Sequence, residues 1–87
     1  MDSQRLDKYL WCARFVSQRE ACQRLAETGL VRINGQRTDK AHAKVRVGDI
    51  LTVPLPAGVR VVRVRTLAAR RGPAAEAYTL YEELPAP

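Results

Sequence analysis

Histidine, sulfur and acid are all scarce in this chain, and each shortage removes a class of chemistry. His42 is the only histidine, and with no proton-transfer partners arrayed beside it in sequence it reads as a surface residue. Cys12 and Cys22 are the only cysteines. They have neither the CxxC spacing of a redox site nor enough companions for zinc, so buried thiols in a reducing cytosol are expected. A glycine-rich cofactor loop, a metal-ligand cluster and a nucleophile with an adjacent base are also missing, so no catalytic residue, metal or cofactor is expected. No run approaches the roughly 18 apolar residues of a membrane span, and the N-terminus lacks an apolar signal-peptide core. The expected location is the cytoplasm, away from membranes.

Acid is short only in part of the chain. Residues 1–71 hold all 15 Lys and Arg against six acids, whereas residues 72–87 hold three acids and no base. The body is therefore +9 and the tail −3, which sum to the net +6. Twelve of the 15 bases are arginine, whose planar fork meets phosphate oxygens bidentately and stacks on bases. A polyanionic partner is the natural inference. With 87 residues and 46% hydrophobic content, the chain reads as one folded domain that buries about 60 to 65% of its unfolded surface.

Leu6, Tyr9, Leu10 and Ala13 recur at helical spacing and predict a first helix from about Leu6 to Phe15. Arg5 and Lys8 fall beside that stripe. Trp11 and Phe15 lie well round from it and are expected to pack under later strands, the alternative being a stacking platform for unpaired bases. Ser17 with Glu20 matches a capping box, predicting a second helix from near Gln18. Its buried stripe is Ala21, Cys22, Leu25 and Ala26, with Arg19, Gln23 and Arg24 outward, and Gly29 stops it. Val31 and Ile33 then share one face of a strand with Arg32 on the other, and Asn34-Gly35 signals a tight turn.

Residues 1–4 read as a polar lead-in, and Gln36 to Lys44 as a basic loop carrying Arg37, Lys40 and Lys44. A short strand, a turn at Gly48-Asp49 and a strand from Ile50 to Val53 follow, with Pro54 and Pro56 ending the pairing. Val59 to Leu67 is the longest strand candidate, and its adjoining Val61 and Val62 suggest a bulge. Arg63 and Arg65 share one of its faces, either as more basic surface or as the sheet's wet side. After a turn at Arg70-Arg71-Gly72-Pro73, Ala77 to Tyr81 reads as a last strand, and Pro85 and Pro87 argue against a further helix. The fold class is α+β: two N-terminal helices packed on one face of a small, mostly antiparallel, twisted sheet. Residues 1–87 form a single domain, with 5–53 as its core and 54–87 as a strand extension and acidic tail.

RLDKYLWCARF at 5–15, Arg19, Gly29, Val31, NGQR at 34–37, VGD at 47–49, RRGPAAEA at 70–77 and LYEE at 80–83 resemble the RNA-binding domain named after the fourth protein of the small ribosomal subunit. Within that superfamily the likeness is to the bacterial fifteen-kilodalton ribosome-associated heat-shock family. Gln18 departs from the usual serine or threonine, Gln23 stands at a position often basic, and the family continues into a basic helical tail past the position of Pro87. The resemblance implies RNA contacts at Arg5, Lys8, Arg19, Arg24, Asn34 and Arg37, with Arg14, Lys40 and Lys44 as further candidates. Asp7 is expected to orient a neighbouring arginine or to cap the first helix. The implied partner is structured RNA of the large ribosomal subunit, carrying a nascent chain and its transfer RNA, and the implied role is non-catalytic; the chain itself is expected to be a monomer. Two other readings stand beside it: a DNA-binding helix-turn-helix, and a detached targeting subunit of an RNA-modifying enzyme.

Overall fold

The computed structural model describes residues 2–86, so Met1 of the lead-in and Pro87 of the terminal proline pair lie outside the described residues. Helix α1 (Leu6–Cys12) buries Leu6, Tyr9 and Leu10 completely, as the spacing predicts. It ends three residues before Phe15. Arg14 takes a left-handed φ of 62°, its N–H reaching the Trp11 carbonyl at 3.1 Å while the Phe15 N–H reaches that of Leu10 at 3.1 Å. These paired bonds close a helix end through a left-handed residue, a position where glycine is usual. The turn sends Phe15 back into the core, its ring 5.0 Å from that of Tyr81.

Helix α2 (Arg19–Glu27) starts one residue later than the capping box requires, and it has no side-chain cap. Gln18 is extended and occupies the cap position itself, which leaves Ser17 outside the helix and too far back for the reciprocal pair with Glu20. Cys22 and Ala26 are buried, Ala21 and Leu25 only partly. Gly29, at φ 80°, ends the helix as expected.

Strands β2 (Val31–Ile33) and β3 (Gln36–Thr38) pair across Asn34-Gly35. Both turn residues have positive φ, 52° and 84°, which matches a primed two-residue hairpin turn. The first part of the expected loop is thus a strand, and its polarity is that of an edge strand with both faces wet. The lead-in is corrected too. Strand β1 (Gln4–Arg5) pairs with β4 (Lys44–Val45), and the buried Gln4 amide both donates to and accepts from the Ala68 backbone.

Strands β5 (Ile50–Leu55) and β6 (Gly58–Val64) run in unbroken register from Ile50 opposite Arg63 to Leu55 opposite Gly58. Two expectations fail here. Pro54 lies inside the pairing, opposite Val59, because β2 covers only Leu51 and Thr52; β5 is locally an edge there, and a missing N–H costs nothing on an edge. No bulge separates Val61 from Val62. Val61 faces outward, while Arg60 takes an inward position with its guanidinium 4.7 Å from the Phe15 ring. The hydrophobic alternation therefore continues through Arg60 rather than slipping.

Of the residues 77–81 read as a last strand, Ala77 closes a short helix, α3 (Ala74–Ala77), and only Tyr81 belongs to strand β7 (Tyr81–Leu84), which pairs with β6. Pro73 caps α3, and its fixed φ suits a helix start. The sheet order is β3-β2-β5-β6-β7, antiparallel throughout. Val31, Leu51, Val53, Val62 and Val64 on its inner face share one core with Leu6, Tyr9, Leu10, Cys22 and Ala26 of the helices, which is the α+β arrangement expected. The Tyr9 hydroxyl donates to the Leu80 carbonyl at 2.8 Å and ties α1 to the C-terminal segment. Among the described residues no helix is long and apolar enough to cross a membrane.

Candidate nucleic-acid interface

Charge is sorted by the sheet register. Glu82 lies directly opposite Arg63 in the β6–β7 pairing and binds it at 2.9 Å. Glu83 pairs with Arg60 from the diagonal position, and Glu76 on α3 reaches Arg70 at 3.4 Å. All three acids beyond Arg71 are therefore matched to arginines of the C-terminal half. Arg63 is thus no part of a free basic surface, although Arg65 beside it is exposed.

The N-terminal bases are different. Among the described residues, Lys8, Arg14, Arg19, Arg24, Arg37 and Lys44 have no carboxylate within ion-pair distance, and neither do Arg32 and Arg46. Two like-charged pairs are held directly opposite each other, Arg32 with Arg37 in β2–β3 and Arg5 with Lys44 in β1–β4. Like charges facing across strands destabilise a sheet; Asp7 offsets this for Arg5, whereas Arg32 and Arg37 have no carboxylate within ion-pair distance among the described residues. Arg32 and Arg46 were missed from sequence. The two-residue Asn34-Gly35 turn was the available signal for Arg32, since it sets the register that brings Arg32 against Arg37.

The candidates fall into groups. Arg37, Lys44 and Arg46 line a recess of about 580 Å³ with Asn34, Gln36, Thr38 and one acid, Asp49. Lys8, Arg19 and Arg71 all lie close enough to Cys12 to act on its thiol electrostatically, so Arg71 joins the helix group from far along the chain. Burial outweighs them and raises the Cys12 thiol, and it pushes Cys22 up to about 11. Both sulfurs, buried as expected, are thiols at neutral pH. Arg24 is exposed on α2, and Arg14 stands at the left-handed end of α1. Lys40 lies 3.6 Å from Asp39 and is exposed, as is His42.

Arg5 and Asn34 are engaged internally. Arg5 gives Nε and Nη2 to the two carboxylate oxygens of buried Asp7, each at 3.0 Å, and the Lys8 N–H also donates to Asp7 at 2.8 Å. Asp7 therefore performs both expected tasks. The carboxylate holds the Arg5 guanidinium above its ordinary pKa, first through the hydrogen bond, and leaves its outer edge open, the side chain being 54% exposed. Asn34 accepts from the Ile50 N–H at 2.9 Å and donates to Asp49 at 3.0 Å, clamping the hairpin to the start of β5. Its amide is occupied by the chain itself. Asn34→Ala should cost about 1 to 3 kcal/mol, since it removes both bonds and leaves a left-handed residue without asparagine's tolerance for it; urea unfolding measures the loss.

Trp11 packs against the common core, as expected, but is only partly buried, so part of its ring stays open to solvent. Arg19 and Arg71 hold their guanidinium carbons 5.7 and 5.4 Å from its ring centroid. No group of three or more metal-ligating side chains occurs among the described residues.

This architecture has known relatives. Residues 4–51 match the S4 domain. The chain is 42% identical over 79 residues to Heat shock protein 15 of Escherichia coli strain K12, covering 91% of this chain and 59% of that protein's length. It is 32% identical over 81 residues to the RQC P-site tRNA stabilizing factor of Listeria monocytogenes, covering 91% of this chain and 87% of that protein. The solved structure of Heat Shock Protein 15 from Vibrio cholerae, a trimer, superposes with a TM-score of 0.88 at 34% identity, over 95% of this chain and 83% of that one. From the two-helix and hairpin frame, together with these likenesses, the chain belongs to the S4 domain family and groups within it with the Heat shock protein 15 homologues.

Proposed function

We propose that this chain is a non-catalytic, ribosome-associated RNA-binding protein of the cytoplasm. The observation that carries the reading is the charge sorting: the three tail acids pair with Arg60, Arg63 and Arg70, while among the described residues the bases on α1, α2 and the β2–β3 hairpin have no carboxylate within ion-pair distance. Double-helical RNA presents phosphates and 2′-hydroxyls more openly than base edges, so a rigid set of donors is what a reader of structured RNA needs. Helices and strands hold Lys8, Arg19, Arg24, Arg37 and Lys44, which limits the entropy lost on binding. Arg14, Arg32 and Arg46 extend the set, Arg5 contributes the edge that Asp7 leaves open, and Lys40 adds a peripheral contact. Asn34 acts by shaping the hairpin.

The partner within the ribosome is the large subunit with transfer RNA and a nascent chain, a reading supported by the relative named for stabilising P-site tRNA. Sedimentation of a cell extract tests it: the chain should travel with free large subunits, and migration with small subunits or with neither would contradict it. Arg19→Ala should weaken binding to ribosomal RNA about three- to tenfold, as loss of one charge-assisted contact requires. Its unfolding free energy should change by less than about 1 kcal/mol, because an exposed side chain contributes little to folding.

A further inference from the structure

Trp11 is the single tryptophan, and on a helix whose leucines and tyrosine are fully buried it remains partly exposed. The two guanidinium groups beside its indole are held differently. Arg71 is partly buried and donates from Nε to the Trp11 carbonyl at 3.0 Å, so it is anchored to the very residue it stacks on. Arg19 is exposed, and among the described residues its side chain has neither a carboxylate nor a hydrogen-bond acceptor. Its guanidinium rests on the indole instead.

We propose that Trp11, backed by anchored Arg71, is a stacking site for one unpaired nucleotide of the bound RNA, with Arg19 as the group that vacates the ring. The proposal rests on the RNA-binding reading above. An exposed cation–π contact is weaker than base stacking on an aromatic ring, so a base displaces Arg19 downhill. The released guanidinium takes the phosphate of the same nucleotide as a charge-assisted, bidentate partner. A continuous A-form stem offers no free base face. Such a site therefore adds a preference for a bulge or loop to contacts that otherwise recognise only backbone.

The test uses the full chain and two fluorescein-labelled RNA hairpins of identical stem, one fully paired and one with a single bulged adenosine. Anisotropy reports binding, and tryptophan emission reports the ring. The bulged hairpin should bind about tenfold more tightly, the scale of one stacked base, and should quench Trp11 at saturation more than the paired one does. Trp11→Leu should bring the ratio of the two affinities close to one, and Trp11→Phe should restore part of it. Equal binding of both hairpins by the unaltered chain, or unchanged tryptophan emission at full anisotropy, would overturn the stacking site while leaving RNA binding intact. Trp11→Leu weakening both hairpins by the same factor would likewise reduce Trp11 to a packing residue. If neither hairpin raises the anisotropy at low salt, the RNA-binding reading itself fails, and the stacking site with it.

Discussion

Affinity for ribosomal RNA should fall about fifty- to two-thousandfold between about 50 and 200 mM monovalent salt. The figure follows from counterion release, in which log K declines with log salt by about 0.7 to 0.9 per neutralised phosphate, for about four to six phosphates engaged. Those contacts come from bases on α1, α2 and the hairpin that, among the described residues, have no carboxylate within ion-pair distance. The prediction depends on their freedom. Had Arg19, Arg24 and Arg37 been paired as Arg60 and Arg63 are, binding RNA would exchange one ion pair for another, and the salt slope would be shallow. Titrations of labelled ribosomal RNA at several salt concentrations measure the slope, and a nearly flat response would refute the electrostatic account. Reversing charge at Arg37 should lower the slope and, by removing the repulsion with Arg32 across the hairpin, leave the fold no less stable.

Leu10→Ala should act on the other half of the molecule. Leu10 is 0% exposed and sits where α1 meets the common core, so its truncation removes buried methyl groups and leaves a cavity that a small core collapses around only in part. Such substitutions cost about 2 to 5 kcal/mol. A domain of this length has about 4 to 13 kcal/mol of total stability, and the midpoint of thermal unfolding should drop by about 10 to 30 °C. Far-UV circular dichroism measures the shift. RNA affinity below the new transition should be close to that of the unaltered chain, since Leu10 is fully buried and offers no surface to RNA. A loss of affinity without loss of stability would mean that the inner and outer faces of α1 have been assigned wrongly.

Local signals were legible where one residue type answers one local constraint. Leu6, Tyr9 and Leu10 mark a helix face by spacing alone, and Asn34-Gly35 marks its turn because both residues tolerate positive φ. Signals failed where a neighbour in space overrode the local pattern. The box of Ser17 and Glu20 gave way to the extended backbone at Gln18. Pro54 was read as the end of a strand, yet the short reach of β2 leaves it an edge on which its missing donor is harmless. The doubled valines at 61 and 62 looked like a slipped register because a charged residue, Arg60, was not expected on the inward face, over the rings of Phe15 and Tyr81.

By itself the sequence determined the fold class, the helical stripes, the hairpin turn and an excess of arginine over acid in the first 71 residues. Tertiary structure alone decided which of those arginines remain available to a partner. An ion pair depends on distance through space, and the distances from Arg60 to Glu83 and from Arg63 to Glu82 are set by how β6 registers on β7. The same holds for Arg71. It reaches Trp11 only because the segment after β6 folds back along the first helix, and no spacing in a linear chain encodes that return.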